Sequence, residues 1–357
     1  MRRIKKFIAL SLVFLMMIGL CSCVSISGSD ESGDSAKTLK IGVLTMLNMT
    51  VDEVENVIVA RGIADKQLIK EGYCSSPNKN LQEGAGLDDF NVEVVYYDNL
   101  ESMMMALEAG EINGMQVYYR TAQYICQNND KLQLGIEYHF EKEPNEFVDK
   151  IMQGVLGNNF AFLLMRGNEA LKYDMDDAIK AMKNDGTMDQ LIQTYLEDAV
   201  NGTEPEPVKM PVIDGAETIK VGVTGALPPM DYITADGVPA GYNTAVLAEI
   251  SKRIGKNIEL VQIDSGARST ALSSGTVDVV FWTRTNDLFY EVSEMSEDER
   301  AKDMEQYQAS MTEEEHDVLK QIRGKIDFSH YAYADMPADT ICTVSYYGDI
   351  CVPVIKK

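Results

Sequence analysis

The chain has few of the residues from which catalytic and metal sites are usually built. Its 357 residues include three histidines and one tryptophan. His139, His316 and His330 are far apart in the sequence, and no HExxH, Gly-x-Ser-x-Gly, CxxC or glycine-rich phosphate motif occurs. We therefore expect no enzymatic activity, no cofactor and no metal ion.

Positive charge is also scarce. Lysine and arginine together number 32 against 56 aspartates and glutamates, which gives a formal net charge of -24. A chain with this charge is repelled by nucleic acids and by anionic membrane surfaces. We therefore expect no nucleic-acid partner, and we expect a chain of this composition to have ordinary hydrophobic cores in about two domains.

Long apolar runs are missing after the first two dozen residues. The N-terminus, "MRRIKKFIALSLVFLMMIGLCSC", has a basic start and one apolar run, which is the pattern of a secretion signal. No later run is long enough to cross a bilayer. We predict a signal peptide at residues 1–22 and an exported mature chain.

The end of this signal is similar to a bacterial lipobox. Leu20, Ser22 and Cys23 fit its pattern, in which cleavage before the cysteine leaves that residue to carry lipid. The resemblance implies lipidation of Cys23 and an anchor on the outer face of the cytoplasmic membrane. The alternative is an ordinary signal peptide that ends near a cysteine. Residues 23–37 are rich in serine, glycine and acids and are predicted to form a flexible tether.

The other cysteines of the mature chain are Cys74, Cys126, Cys342 and Cys351. An exported protein can form disulfides but need not. Cys342 and Cys351 flank "TVSYYGDI", so they are either a cross-hairpin disulfide or two buried thiols.

The chain contains an internal repeat. "LKIGVLTM" at 39–46 and "IKVGVTGA" at 219–226 are both strands of the kind buried in a parallel sheet. "ALEAGEINGMQVYYRTAQ" from 106 and "ALSSGTVDVVFWTRTND" from 271 share a helix end, a glycine, a buried strand and an Arg-Thr pair. Two halves of similar design therefore follow each other.

Helices and strands alternate in both halves. Apolar residues at helical spacing end at Gly110 in the first half and at Gly255 in the second. The strands "NVEVVYY", "GMQVYY", "NIELVQI" and "DVVFW" lie between the helices, so we predict βαβ units in an α/β fold. Residues 201–215 contain three prolines and two glycines, and we interpret them as a linker between domains.

The second half resembles the extracytoplasmic solute-binding proteins that serve amino-acid ABC transporters (family 3). "IKVGVTGALPPMDYITADGVPAGYNTAVLAEISKRIGKNIELV" followed by "ALSSGTVDVVFWTRT" is similar to the family's opening lobe. "FAFLLMRGNEALKYDMDDAIKAMKNDGTMDQLIQTYL" at 160–196 is similar to its closing strand and last helices. The resemblance implies a ligand held between two α/β lobes.

The domains follow from this resemblance. Each half of the chain is the length of one lobe, so we expect two Rossmann-like α/β lobes of the type II periplasmic-binding-protein kind. The predicted lobes span 38–200 and 216–357, joined by the 201–215 linker, about which they would close. The second lobe has an extra segment at about 287–325, read either as a solvated helical excursion or as a lid or partner-docking surface.

The resemblance also implies where a ligand binds. In the family, a threonine is followed three residues later by an arginine that grips a carboxylate, but Leu288 and Tyr124 hold those places here. Arg120 and Arg284 precede the threonines and either replace the missing clamp or end a strand in solvent. The implied ligand-binding residues are Arg120, Thr121, Met230, Tyr232, Tyr242, Asn243, Trp282, Arg284 and Thr285. For the aromatic residues among them, the alternative is burial in the core.

Two functions remain open at this point. The first is a lipid-anchored receptor that captures a small polar ligand, such as an amino acid, and presents it to an ABC transporter permease. The second is a degenerate surface lipoprotein of the same descent that contacts a protein partner and no longer binds solute. The missing arginine clamp and the acidic extra segment motivate the second.

Overall fold

A computed structural model describes residues 38–78, 90–286 and 311–357, together with residues 296, 298, 299 and 302. The predicted signal peptide, Cys23, the tether and most of the predicted extra segment at about 287–325 lie outside the described residues.

The first half of the chain alternates strands with helices, as its sequence predicts. Its strands are β1 (Thr38–Leu44), β2 (Cys74–Ser75), β3 (Asn91–Tyr97), β4 (Gly114–Tyr118), β5 (Leu132–Leu134), β6 (Glu137–Tyr138) and β7 (Gly157–Met165). Its helices are α1 (Val51–Glu71), α2 (Leu100–Ala109), α3 (Tyr119–Asn128), α4 (Glu146–Ile151), α5 (Glu169–Asn184), α6 (Thr187–Ile192) and α7 (Asp198–Val200). Short π-helical turns extend α4 over Met152–Leu156 and α6 over Gln193–Glu197.

The second half repeats the alternation. Its strands are β8 (Thr218–Val223), β9 (Ala226–Leu227), β10 (Asp231–Ile233), β11 (Pro239–Ala240), β12 (Asn257–Gln262), β13 (Val279–Thr285), β14 (Thr340–Cys342) and β15 (Tyr347–Lys356). Its helices are α8 (Tyr242–Ile254), α9 (Arg268–Ser273), α10 (Glu313–Arg323) and α11 (Phe328–Tyr331). A 3₁₀ turn at Ser265–Ala267 leads into α9.

Ten of these strands form one mixed sheet. Its order is β12-β8-β13-β7-β15-β4-β1-β3, with β14 paired to β7 and β5 paired to β15. Strands β3 and β4 run parallel to β1, and β12 and β13 run parallel to β8, whereas β7 and β15 are antiparallel to their neighbours. The predicted α/β class is confirmed, with two parallel units that meet at antiparallel strands.

The sheet mixes the two halves of the sequence. Strand β7 of the first half pairs with β13, and β15 of the second half pairs with β4. Helices α5 and α6 pack on α8, so residues 157–200 lie against the second half. The main sheet thus joins strands from both sides of the predicted linker at residues 201–215. The predicted lobe boundaries stay a prediction.

Local signals at the helix ends agree with the sequence. Gly110 and Gly255 both follow their helices in the left-handed conformation, with φ of 79° and 67°. Thr312 caps α10 with a complete capping box in which Glu315 is the third helical residue. Thr50 and Glu53 form the same box at the start of α1. Each box satisfies backbone N–H groups that would otherwise lack partners.

Cys74, Cys126, Cys342 and Cys351, the cysteines that the structure describes, form no disulfide with one another. Cys342 lies in β14 beside β7, while Cys351 lies in β15 opposite Tyr118 of β4. Both strands pair with β7, but β14 lies along Leu163–Met165 and the start of β15 lies along Gly157–Phe160, so the two strands do not form a hairpin with each other. Cys351 is buried and its Sγ lies 3.4 Å from Oε1 of Gln116.

Candidate functional site

A narrow cavity lies where the parallel strands of both units end. It encloses about 80 Å³ and is lined by residues in or just after β1, β4, β8 and β13, together with the first three turns of α1 and the start of α9. The carboxyl ends of parallel strands are the usual ligand position in open α/β sheets. Most of its wall is apolar, from Val43, Leu44, Met46, Met49, Val54, Val57, Ile58, Val117, Phe160, Leu227 and Trp282.

Arg284 is the most unusual side chain of this cavity. It is 3% exposed, and its Nε and Nη1 have no hydrogen-bond partner among the described residues. Its Nη2 lies 3.2 Å from Sδ of Met49 and 3.5 Å from the carbonyl oxygen of Tyr331. Leaving a buried charged donor unpaired is expensive, so such groups point to an absent partner.

Thr121 is the second polar residue of the cavity without a partner. It lies in the first turn of α3, is 2% exposed, and its Oγ1 makes no hydrogen bond among the described residues. Five buried side-chain atoms in the described chain lack partners, and three of them belong to Thr121 and Arg284. Residues from both halves of the sequence thus aim unused hydrogen-bonding groups at one space.

A second buried arginine, Arg61 of α1, differs from Arg284 because its side chain donates several hydrogen bonds. Its Nε donates to the carbonyl of Val155 at 3.3 Å, and its Nη2 donates to Oδ1 of Asn158 at 3.3 Å and to the hydroxyl oxygen of Tyr331 at 3.1 Å. Tyr118 also donates to Oδ1 of Asn158, at 2.8 Å. Arg61 is therefore held by the fold, although it lines the same cavity.

Tyr331 connects the two arginines. The ring lies 4.3 Å from the guanidinium carbon of Arg284, which is a cation–π distance, and its hydroxyl oxygen accepts from Arg61. Burial raises the pKa of the Tyr331 phenol, but the Arg61 and Arg284 charges and the hydrogen bonds from Asn158 and Arg61 outweigh it, and the pKa is lowered overall.

Asp335 closes the cavity on its remaining side. Its Oδ1 accepts from the backbone N–H of Leu47 at 2.9 Å, and its Oδ2 accepts from the backbone N–H of Arg284 at 3.2 Å. Arg268 of α9 places Nη1 3.5 Å from the same Oδ2 and donates to the carbonyl of Trp282. A single buried carboxylate thereby joins the end of β1 to β13.

Trp282 lies at an irregular point of β13. Its φ is 62°, in the left-handed region, and the pairing of β13 with β7 shifts register between Val280 and Thr283. The indole stacks on Phe160 with ring centroids 4.0 Å apart and meets Tyr118 edge to face at 5.6 Å. The bulge turns Trp282 toward the cavity that it lines.

The structure separates the predicted site residues into groups. Thr121, Trp282 and Arg284 line the cavity together. Arg120 instead forms an ion pair with Glu197 and lines a wider groove of about 970 Å³. That groove lies along the starts of β7 and β15, outside the cavity.

The other predicted residues serve the packing of the second half. Met230, Tyr242 and Asn243 are all 0% exposed. The Tyr242 hydroxyl donates to the carbonyl of Tyr346, whose own hydroxyl donates to Oδ1 of Asn243. None of the three lines the cavity, because the turn before α8 folds back onto the core.

Tyr232 and Thr285 also lie outside the cavity lining. Tyr232 is half-buried in the small sheet β11-β10-β9, where it pairs with Ala226 and Ala240. The Thr285 hydroxyl donates to the carbonyl of Asn159 at 3.4 Å. The role of the nine residues in ligand binding remains a prediction.

The cavity also contains residues that the sequence reading missed. Arg61 had a detectable signal, since it occupies an apolar position of α1 between Ile58 and Leu68. Arg268 and Asp335 had none, because their pairing joins residues far apart in the chain. Among the described residues, no group of histidines, cysteines or acids could hold a metal ion, and no helix is long and apolar enough to cross a membrane.

Comparison with known proteins supports the family resemblance over part of the chain. Residues 219–288, about a fifth of the sequence, match the model for bacterial extracellular solute-binding proteins of family 3. This stretch spans β8 to just beyond β13 and includes Trp282 and Arg284. The resemblance drawn from the sequence is confirmed there. Curated proteins gave no match to the chain.

Solved structures with a similar arrangement are distant. The ligand-binding component of an ABC-type import system from Staphylococcus aureus, with zinc bound, is 12% identical, with a TM-score of 0.32 over 90% of this chain and 66%, under two thirds, of its own. An ancestral arginine-binding protein bound to arginine is 11% identical, with a TM-score of 0.34 over 90% and 84%. The Treponema pallidum lipoprotein Tp32 is 10% identical, with a TM-score of 0.32 over 90% and 85%. Identities and TM-scores this low are not evidence of a shared function. The fold assignment rests on the order of the strands in the sheet.

Proposed function

We propose that this protein is an extracytoplasmic solute-binding lipoprotein, anchored through Cys23, that presents a small ligand to an ABC transporter permease. The observation that carries the proposal is Arg284, a buried guanidinium with unpaired donors in a cavity at the strand ends. The family match over residues 219–288 supports it, because the matched family consists of solute-binding proteins. Catalysis has no support from the cavity, whose polar groups form no nucleophile–base pair.

The two lobes of this receptor are the two parallel units of the sheet. One unit contains β3, β1 and β4, and the other contains β12, β8 and β13. The unpaired groups come from both, since Thr121 follows β4 and Arg284 lies in β13. A ligand that bonds to both residues favours the closed arrangement of the units, which is the coupling a receptor needs.

The hinge lies at the antiparallel strands β7 and β15, where the two units join. The sequence alone predicts a hinge at residues 201–215. That segment is packed on the second unit, because Val208 is buried against Ala245 and Ala248, and Ile213 accepts a side-chain bond from Asn257. Residues from Val208 onward are therefore fixed to the second unit, whereas the start of the segment follows α7, which packs on α3 of the first unit.

The test is thermal unfolding of the full chain with a panel of small solutes. A ligand at about a hundred times its dissociation constant stabilises the native state by about 2.7 kcal/mol. We expect at least one solute to raise the melting temperature of wild type and of Arg120→Gln, and to raise that of Arg284→Gln much less. A shift that survives in Arg284→Gln but is lost in Arg120→Gln would move the site to the groove of Arg120.

The small size of the cavity favours one alternative, a binding-protein-like lipoprotein that contacts a protein partner and no longer binds solute. A cavity of about 80 Å³ is smaller than many solutes. The family's clamp positions hold Tyr124 and Leu288 instead of arginine. This alternative predicts that no solute shifts the melting temperature of either the wild type or the variants.

A further inference from the structure

The charges that line the cavity do not balance. Among its described lining residues, Arg61, Arg268 and Arg284 each carry a positive charge, and Asp335 is the one carboxylate. The chain as a whole is strongly acidic, with a net charge of -24, so this local excess runs against its composition. A low-dielectric space with surplus guanidinium groups favours an anion.

The carboxylate of Asp335 already has partners within the protein. Its two oxygens accept from the backbone N–H groups of Leu47 and Arg284, and Arg268 lies 3.5 Å away. An amino acid needs a negative partner for its ammonium group, and no second carboxylate lines the described wall. The ammonium would also enter beside the unpaired guanidinium of Arg284, where like charges repel.

The other oxygen-bearing side chains of the cavity wall are uncharged, and most of them already contact other protein groups. Thr224 donates its hydroxyl to Asp231, Thr45 donates to the carbonyl of Tyr97, and the amide oxygen of Gln116 lies against the thiol of Cys351. Burial raises the pKa of that thiol, which keeps it uncharged at neutral pH. A buried ammonium without an anionic partner is strongly disfavoured.

We propose that the cavity takes a small organic acid, with its carboxylate on Arg284 and a short apolar or hydroxylated body, and discriminates against the corresponding amino acid. This rests on the proposed solute-binding function. The volume of about 80 Å³ holds roughly five to eight water-sized groups, so the ligand is compact. Unpaired Oγ1 of Thr121 accommodates a hydroxyl on the body.

The experiment uses solutes that differ in one group. L-alanine, L-lactate and isobutyrate have the same size and carboxylate, and carry an ammonium, a hydroxyl or a methyl on the same carbon. Leucine, 2-hydroxy-4-methylpentanoate and 2,4-dimethylpentanoate repeat the comparison at larger size. Each is titrated by calorimetry into the full-length wild type, Arg284→Gln, and Arg120→Gln as the matched control.

We expect lactate or isobutyrate to bind at least about tenfold more tightly than alanine, which corresponds to about 1.4 kcal/mol. Arg284→Gln should reduce this ratio toward one, because it removes the charge that repels the ammonium, and Arg120→Gln should preserve it. A purely structural role of Arg284 would weaken all solutes without changing the ratio.

The failures are distinguishable. Tighter binding of alanine or leucine than of their hydroxy and methyl partners overturns the organic-acid inference and leaves the solute receptor standing. If neutral or cationic solutes bind and none of the six acids does, the organic-acid inference is likewise overturned and the solute receptor stands. Absence of binding by every solute overturns both this inference and the proposed function.

Discussion

Arg284→Met should stabilise the ligand-free protein, while Arg61→Met should destabilise it. Both arginines are 3% exposed and line one cavity, so they are closely matched in burial. They differ in their bonds, since Arg61 donates to Val155, Asn158 and Tyr331, whereas Nε and Nη1 of Arg284 have no partner among the described residues.

The magnitudes follow from that difference. Each unpaired buried donor of Arg284 costs about 1–3 kcal/mol, and its cation–π contact with Tyr331 returns about 1–2 kcal/mol. Replacement by the unbranched, apolar methionine should therefore raise the free energy of unfolding by about 1–3 kcal/mol. Arg61→Met removes the three hydrogen bonds that Arg61 donates to Val155, Asn158 and Tyr331, and should lower the free energy of unfolding by about 3–5 kcal/mol.

Urea unfolding of the three proteins, followed by far-ultraviolet circular dichroism without ligand, measures both effects. The midpoint should rise for Arg284→Met and fall for Arg61→Met at similar slope. Destabilisation of Arg284→Met by more than about 2 kcal/mol would show that Arg284 is a structural cation, and would refute its assignment to a ligand.

Three other outcomes are expected. Burial raises the pKa of Asp231 to about 7, so its protonated form is favoured in the native state and its contribution to stability is lost as the pH rises from about 4 to 7. Asp231→Asn should therefore gain on the order of 2–4 kcal/mol relative to wild type between pH 4 and pH 8, and parallel pH curves would contradict this. Thr121→Val should weaken solute binding about tenfold and change the stability by less than about 1 kcal/mol, because its Oγ1 has no partner to lose. The control is Thr283→Val, whose Oγ1 is also unpaired but does not line the cavity, and equal effects of both variants on binding would argue against the cavity. Cys23→Ser should abolish the incorporation of labelled palmitate into the chain in cells, and unchanged incorporation would refute lipid attachment at Cys23.

The local structure could be predicted from the sequence because its signals are local. The strands β1, β3, β8, β12 and β13 coincide with short stretches rich in apolar and β-branched residues, and Gly110 and Gly255 end their helices where the spacing of apolar residues stops. The capping box at Thr312 is readable from four consecutive letters. Such features depend on a few neighbouring residues and need no tertiary information.

Strand order could not be predicted in the same way. The C-terminal strand β15 lies between β7 and β4, and no local pattern in "YGDICVPVIK" predicts that it pairs with either strand. The repeat suggested two separate units in sequence order, whereas residues 157–200 pack against the second half. Pairing between distant segments is decided by the whole packed sheet, so repeats alone do not reveal it.

The site was partly predictable for a related reason. Arg284 and Trp282 lie near the carboxyl end of the buried strand β13, which is the usual ligand position, so the sequence could mark them. The resemblance also implies Met230 as a ligand-binding residue, and this side chain is 0% exposed in the core. Asp335 enters the cavity from after α11, and only the tertiary structure brings it to Leu47 and Arg284.

A crystal structure of the full chain with its tightest-binding solute tests the central claim most directly. The account predicts the carboxylate of the solute in the cavity, with an oxygen about 2.7–3.1 Å from Nε or Nη1 of Arg284. A solute bound instead in the groove of Arg120, or in the cavity with Arg284 still unpaired, would contradict it.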